Sequence, residues 1–210
     1  MLVEGYTEHT AVPEFLRRWI DSRDPMRDRV GIDPVNLKGG GKELFDRIIS
    51  KAEYYLKGPG QDQNIIAVLG MLDLYNPSFD ELWPRRLDSV EKRYDWAVKE
   101  ISARVNHKQF RMFFAVHEVE AWLLSQPANL HVTLSNNDLA QCRRPETINF
   151  IIPPSKWLNQ RYNRDLNKKY KKVVYGNQLF SKLEPDAAYS KCPYLRKMLD
   201  EMEVLARKGL

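Results

Sequence analysis

The sequence predicts an α/β fold with a mainly parallel sheet flanked by helices and a basic, mostly helical C-terminal extension. Two nearly continuous apolar runs, residues 64–74 and 110–116, have the composition of strands that are buried on both faces. Segments with helical periodicity alternate with these runs, and that alternation is typical of a parallel sheet. The chain has 210 residues, which is enough for one sizeable hydrophobic core.

The N-terminal elements are short. Residues 1–4 read as a strand that stops at Gly5, and residues 30–37 form a second strand candidate. Apolar residues at helical spacing predict a helix over residues 8–22, with Thr7 as its N-cap. A further helix is predicted over residues 42–56.

The later helices are predicted at residues 89–104, 117–125, 155–163 and 193–208. Past about residue 129 the hydrophobic pattern becomes less regular. We therefore predict an α/β core over residues 1–128 and an extension over residues 129–210 that packs on it.

The composition is that of a globular protein, with 43% hydrophobic and 29% charged residues. No run approaches the roughly 20 apolar residues of a membrane helix, and the N-terminus lacks a secretory pattern. Cys142 and Cys192 have no metal-binding spacing and are expected to be buried thiols. These features predict a cytoplasmic protein with no membrane segment.

The positive charge is concentrated in residues 141–182, which contain ten Lys or Arg residues against two acidic ones. The segment therefore carries +8 of a chain whose net charge is +5. Aromatic residues lie among these charges, namely Trp157, Tyr162, Tyr170 and Tyr175. Basic residues interleaved with aromatics are typical of nucleic-acid binding, although a solvated basic face has the same composition.

Three glycines, Gly39–Gly41, followed by Lys42 invite a nucleotide-binding interpretation. A P-loop needs Gly-x-x-x-x-Gly-Lys-Ser/Thr, but position 36 is Asn and position 43 is Glu. A flexible turn into the following helix is the preferred interpretation, and a phosphate contact at that helix N-terminus stays open.

Acidic residues follow three of the predicted strands. Glu4 ends the first strand, Asp73 ends the run at 64–74, and Glu118 with Glu120 follows the run at 110–116. Ligands of parallel α/β sheets gather outside the carboxyl ends of the strands. Because clustered carboxylates repel one another, the pattern favours a site for a divalent cation such as Mg²⁺.

These residues resemble the Toprim domain, and more specifically its branch in the overcoming-lysogenization-defect (OLD) nucleases. The first part of the resemblance is Val3-Glu4-Gly5, with Thr7 and Glu8 after it. The finer pattern resembles an uncharacterised bacterial Toprim-like family over nearly the whole chain. Its motifs are GMLDLYNPSF (70–79), HEVEAWLLS (117–125), PPSKWL (153–158), YKKVVYG (170–176) and CPYLRKML (192–199).

The resemblance implies a metal-dependent nuclease that uses one or two Mg²⁺ or Mn²⁺ ions. The implied metal ligands are Glu4, Glu8, Asp73, Glu118 and Glu120. Glu4 would also act as a general base on water. Toprim domains have Asp-x-Asp after the third strand, but Tyr75 stands at the second position here, so one metal would be bound loosely or not at all.

Three further residues receive roles from the resemblance. Lys172 would stabilise the charge that develops on the phosphate, with Lys156 as the second choice. His117 would support a ligand or carry a proton, and a capping or hydrogen-bonded histidine is an equal alternative. If a helix begins at His117, only one of Glu118 and Glu120 faces the metal, because the two would lie about 200° apart.

The expected nucleic-acid contacts are Lys156, Arg161, Arg164, Lys168, Lys169, Lys171 and Lys172. The substrate is DNA or RNA, and the sequence does not choose between them. By resemblance, a separate AAA or ABC-type ATPase would be the partner in bacterial defence against phage, and a homo-oligomer is also compatible. Two rivals stay open: a catalytically weak binding or regulatory subunit, and a metal-dependent phosphohydrolase or phosphotransferase.

Overall fold

The computed structural model describes residues 1–23, 30–38, 43–75, 89–147 and 152–208. The predicted glycine turn with Lys42 and the Asn76–Phe79 end of one motif lie outside the described residues.

A four-stranded sheet forms the centre of the molecule, in the order β2-β1-β3-β4. The strands are β1 (Leu2–Val3), β2 (Val35–Asn36), β3 (Val68–Asp73) and β4 (Phe110–Ala115). All described pairs are parallel. The fold is therefore an α/β, Rossmann-like fold, as the sequence predicts.

Ten α-helices are present among the described residues. They are α1 (Tyr6–Thr10), α2 (Val12–Arg23), α3 (Leu44–Lys57), α4 (Val90–Val105), α5 (Glu120–Leu123), α6 (Asn136–Cys142), α7 (Pro154–Leu166), α8 (Asn177–Lys182), α9 (Pro185–Lys191) and α10 (Pro193–Lys208). A π-helical turn spans Lys172–Gly176. Such turns are rare and occur mostly at functional sites.

The two faces of the sheet bury separate hydrophobic clusters, because successive side chains of a strand point to opposite faces. One face, including Met71 and Phe113, packs against α2 and the C-terminal helices. The other face, including Leu72 and Phe114, packs against α3 and α4. At Gly70 a Cβ atom would lie 2.7 Å from Ile48 Cδ1, so the absence of a side chain lets α3 approach β3 closely.

Several predicted boundaries differ from the structure. Thr7 is wrong as an N-cap: Gly5 holds that position, and Thr7 lies buried within α1. The strand predicted at residues 30–37 is limited to β2, and no helix begins at His117, because α5 starts at Glu120. His117 has a left-handed backbone, φ 72°, which is incompatible with helix continuation.

The C-terminal segment packs directly on the sheet layer. Side chains of α10 join the same cluster as those of α2, and Arg111 of β4 forms a 2.6 Å ion pair with Glu201. Cys142 and Cys192 are buried free thiols, as predicted. No helix among the described residues is long and apolar enough to span a membrane.

Candidate functional site

The carboxyl ends of β1, β3 and β4 bring the predicted acidic residues to one edge of the sheet. Val3 pairs with Met71, and Asp73 pairs with Ala115, so the residues that follow these strands lie at neighbouring positions. Glu4 comes directly after β1, and Glu118 comes three residues after β4. Parallel strands thereby place residues that are distant in sequence at a single edge.

Lys172 lies at the centre of the acidic residues. Its Nζ atom is 2.9 Å from Glu118 Oε1 and 3.3 Å from Glu120 Oε2. Burial alone would lower the pKa of Lys172, but the charges of Glu120 and Glu118 raise it overall. The ammonium is therefore held in its charged form among the carboxylates. Lys156, the second choice from the sequence, is exposed on α7.

Glu118 is also bound by the N-terminus of α7. The Ser155 backbone N–H donates to Glu118 Oε2 at 2.8 Å, and the Ser155 hydroxyl donates to Oε1 at 2.9 Å. Burial opposes the charge of Glu118, but Lys172 and Ser155 together lower the pKa of this carboxyl below its ordinary value. Glu118 is therefore ionised, and its contacts with Ser155 and Lys172 connect the end of β4 to the C-terminal segment.

Glu120 is fully buried and also faces Lys172. The prediction that only one of the two glutamates would point into the site depended on a helix beginning at His117. Because Glu118 precedes α5, both side chains reach the same ammonium. Burial raises the pKa of Glu120 to about 7, although Lys172 opposes that shift.

Asp73 and Glu8 lie close enough to the other carboxylates to feel their charge. Burial, followed by the charges of Glu8 and Glu118, raises the pKa of Asp73 well above its ordinary value. The pKa of Glu8 is raised by burial and by Glu118, against the opposing effect of Lys172. The repulsion among these carboxylates favours either protonation or an added cation.

Gly5 sets the position of the Glu8 carboxylate. A Cβ atom at Gly5 would overlap the carboxylate of Glu8, which lies directly against the glycine Cα. The glycine also caps α1 with an extended backbone. A side chain at position 5 would therefore displace Glu8 from the cluster.

An aromatic stack joins the residues that follow β3 and β4. The ring of His117 stacks on Tyr75 with centroids 5.4 Å apart, and Arg93 lies 4.6 Å above the Tyr75 ring. Burial lowers the pKa of His117 to about 4, despite the nearby charge of Glu118. The imidazole is therefore neutral at pH 7, and Tyr75 contributes its ring to a stack with His117.

The predicted nucleic-acid contacts fall into two groups. Lys168, Lys169 and Lys171 are exposed between α7 and the π-helical turn. Arg161, in contrast, is largely buried in an ion pair with Asp138 and stacks 3.7 Å above the Trp157 ring. Arg164 is exposed but bound to Asp165.

The aromatics of the basic segment are mostly core residues. Trp157, Tyr162 and Tyr170 are each less than a tenth exposed. Tyr175 packs against Tyr162, with ring centroids 5.1 Å apart. These three rings belong to the hydrophobic core and do not form an exposed surface on which bases could stack.

The carboxylate oxygens of the cluster are ligands of the type that hard cations such as Mg²⁺ and Mn²⁺ prefer. Among the described residues, however, no three His, Cys, Asp or Glu side chains are arranged around one ion position. The Lys172 ammonium already occupies a cationic position between Glu118 and Glu120.

The sequence does not identify four neighbours of the acidic residues, namely Gly5, Thr7, Ser155 and Tyr170. Each lies inside a motif quoted above, but the motif does not show which side chain it contacts. Their spacing in the chain carries no information on which carboxylate they approach.

The fold and site define an α/β protein with a lysine-centred carboxylate cluster at the carboxyl edge of a parallel sheet. The chain belongs to the family described as "Domain of unknown function (DUF4276)", whose model matches residues 3–203. Comparisons with the curated proteins and with the solved structures gave no significant match.

Proposed function

We propose that the protein is a metal-dependent nuclease that hydrolyses phosphodiester bonds of DNA or RNA at the carboxylate cluster. The observation that carries this proposal is the meeting of four carboxylates around Lys172, in contact or in electrostatic reach of one another. Burial of like charges costs free energy, so a cluster of this kind is typical of a functional site or of a site for a cation.

The cation would be held by Glu4, Glu8 and Asp73, because Glu118 and Glu120 are already balanced by Lys172. The three carboxylates would have to move toward one ion position, since no three described acidic residues are arranged around one now. Mg²⁺ or Mn²⁺ held by these residues would supply positive charge to the phosphate oxygens and would lower the pKa of water. Burial, and after it the repulsion from the other carboxylates, raise the pKa of Asp73, and such a cation would relieve the repulsion. Glu4 would accept a proton from the attacking water.

Lys172 would place a fixed positive charge beside the reacting phosphate. Its ion pairs hold the ammonium in one position, so little reorganisation is needed when negative charge develops on the phosphate. His117 is neutral at neutral pH and would accept or donate a hydrogen bond rather than provide charge.

The exposed lysines at positions 168, 169 and 171 would bind the nucleic-acid backbone. They precede Lys172 in the chain and lie on the same connection, so a strand bound along them leads to the cluster. Such contacts are to phosphate and are independent of base sequence.

The resemblance to OLD-type Toprim domains adds a biological setting. It favours an effector in bacterial defence against phage that acts in the cytoplasm beside a separate AAA or ABC-type ATPase. This step is an analogy at the level of fold and motif.

A binding or regulatory subunit without catalysis is the main alternative. The observation in its favour is the double ion pair of Lys172, which balances Glu118 and Glu120 without any metal. Tyr75 at the position of an acid also removes one ligand. A phosphohydrolase acting on small molecules is the second alternative.

The test is incubation of the purified chain with plasmid, single-stranded DNA, total RNA and mononucleotides in Mg²⁺, Mn²⁺ or EDTA. Asp73→Asn and Glu8→Gln are compared with Asp95→Asn, an exposed control on α4. We expect metal-dependent cleavage of a polymer that both site variants lose and the control retains. Binding of a polymer without cleavage, also after addition of the product of the neighbouring gene, would support the binding subunit. Turnover of mononucleotides alone would support the phosphohydrolase.

A further inference from the structure

Three buried oxygen atoms beside Lys172 have no hydrogen-bond partner among the described residues. They are Thr7 Oγ1, Glu120 Oε1 and the Tyr170 hydroxyl. The side chains to which they belong are 2%, 0% and 8% exposed, respectively. A buried polar atom without a hydrogen-bond partner costs about 1–3 kcal/mol of stability. Three such atoms on neighbouring elements therefore indicate a partner that all three could share.

Two of the three atoms border the space next to Gly176, and the third belongs to Glu120, which binds Lys172 on the same π-helical turn. A Cβ atom at this glycine would lie 3.3 Å from the Tyr170 hydroxyl and 3.6 Å from Thr7 Oγ1. The second oxygen of Glu120 binds Lys172 at 3.3 Å, which leaves Oε1 for a different partner. Burial, and after it the charge of Glu120, raise the pKa of the Tyr170 hydroxyl, so the two groups lie within electrostatic reach of each other.

The chemistry of this space fits one water molecule. A buried water makes about three hydrogen bonds and needs two to four polar partners. It can accept from the hydroxyls of Thr7 and Tyr170 while it donates to Glu120 Oε1, so each of the three protein oxygens gains a hydrogen-bond partner. Each oxygen is shielded from solvent, which excludes a phosphate or a base as the occupant.

We propose that Thr7, Tyr170 and Glu120 bind one buried water molecule, and that this water makes Thr7 and Tyr170 positioning residues for Glu120 and Lys172. The water would connect three elements that carry site residues: α1, which contains Glu8; the start of α5; and the segment before the π-helical turn. The effect on cleavage rests on the proposed nuclease function, whereas the water site itself does not.

Gly176 is part of the same arrangement. Its backbone, with φ of −57° and ψ of −52°, is that of an ordinary helical residue, so alanine is allowed there without backbone strain. The added methyl group would enter the space between Thr7 and Tyr170. Gly176→Ala therefore removes room for the water while it leaves all three oxygens in place.

A high-resolution crystal structure of the full chain tests the water site directly. We expect density within hydrogen-bond distance of all three oxygens in the wild type and its loss in Gly176→Ala. Direct hydrogen bonds among the three side chains, with no density between them, would overturn the proposal. An anomalous signal after soaking in rubidium chloride would show a monovalent cation and would also overturn it.

A matched pair of variants tests the positioning role. Thr7→Val keeps the shape of threonine but loses the hydroxyl, whereas Thr7→Ser keeps the hydroxyl, and Tyr170→Phe removes only the second hydroxyl. NMR of the Lys172 ammonium group gives a readout that does not need activity. We expect a lower order parameter for this group in Thr7→Val and Tyr170→Phe, and a value close to wild type in Thr7→Ser.

Cleavage of a defined oligonucleotide gives the second readout. We expect kcat to fall about tenfold to a hundredfold in Thr7→Val and Tyr170→Phe, with oligonucleotide Kd unchanged and Thr7→Ser close to wild type. Equal defects in Thr7→Ser and Thr7→Val would show a packing role and overturn the proposal. If the wild type cleaves no substrate, the nuclease function fails, and the crystal and NMR results still decide the water site.

Discussion

Lys172 Nζ lies 2.9 Å from Glu118 Oε1, although the two residues are 54 positions apart in the chain. This ion pair attaches the basic C-terminal segment to the carboxyl edge of the sheet. It also places the Lys172 ammonium group, which would stabilise the reacting phosphate, beside the carboxylates that would hold the metal. The same contact therefore serves the folding of the segment and the electrostatics of the site.

Lys172→Met is expected to separate these two effects. We expect cleavage to fall by about a hundredfold or more, as when one charge-stabilising group is lost. Mn²⁺ affinity should rise, because Glu118 and Glu120 lose the ammonium that competes with a metal. Cleavage assays and calorimetric Mn²⁺ titration measure the two effects.

The control for this prediction is Lys108→Met, since Lys108 is exposed and lies outside the basic segment. It should leave both quantities near wild type. Retention of cleavage in Lys172→Met would contradict the role proposed for the lysine.

Gly5→Ala is expected to inactivate the protein without unfolding it. The methyl group would overlap the Glu8 carboxylate, which is the free end of a flexible side chain and moves at little cost. We expect wild-type thermal stability together with loss of Mn²⁺ binding and cleavage. Gly31→Ala is the control, because a Cβ at Gly31 meets open space. A fully active Gly5→Ala protein would exclude Glu8 as a ligand.

Much of the fold could be predicted because the apolar patterns of β3 and β4 are long and nearly unbroken. The predicted run 110–116 differs from β4 by a single residue at its C-terminal end. The ends of the short strands are harder to predict: β2 has two residues, whereas the sequence predicts a strand of eight. In so short a strand, pairing with β1 decides the boundary, and the sequence carries little local signal.

The acidic cluster could be predicted because carboxyl ends of parallel strands meet at one edge. The partner of each carboxylate could not be predicted in the same way. The geometry of Glu118 and Glu120 depends on a left-handed residue, His117, that delays α5. The burial of Tyr162 and Tyr170 depends on tertiary packing, because an exposed aromatic and a buried one have the same spacing in a basic segment.

Glu146 gives a prediction on stability and pH away from the site. Its buried carboxyl accepts hydrogen bonds from the backbone N–H groups of Tyr194 and Leu195, at the start of α10. Burial raises its pKa from 4.5 to about 7, against the opposing effect of these hydrogen bonds. The folded state therefore binds the proton more tightly than the unfolded state does.

The stability that Glu146 contributes through this proton should be complete below about pH 4.5 and should be lost as the pH rises through 7. Glu146→Gln removes the titration. The free energy of unfolding of the wild type minus that of the variant should therefore fall between pH 4.5 and pH 8, by up to about 3 kcal/mol. Urea denaturation at several pH values measures this difference. A difference that is constant with pH would contradict the raised pKa.

Arg161 is expected to be structural despite its place in the basic segment. It pairs with Asp138 in a largely buried position and covers the Trp157 ring. Arg161→Ala leaves a buried carboxylate without its partner, so we expect a loss of about 3–5 kcal/mol in unfolding free energy. Arg164→Ala is the exposed control and should change stability little. Denaturant titration compares them, and equal stability of the two variants would refute the assignment.

The three exposed lysines are expected to supply nonspecific affinity. Replacement of Lys168, Lys169 and Lys171 by Gln should weaken binding of an oligonucleotide of any sequence at low salt. Each lost phosphate contact should also reduce the slope of log affinity against log salt by about 0.7 for a single strand and 0.9 for a duplex.

Fluorescence anisotropy at several salt concentrations measures both the affinity and the slope. The titrations use the Asp73→Asn background, in which we expect no cleavage of the oligonucleotide. Lys51→Gln, Lys92→Gln and Lys108→Gln together form a control of equal charge change outside the basic segment. If both triple variants lose the same affinity and slope, net charge and not the segment explains binding, and the proposed path of the strand toward Lys172 is wrong.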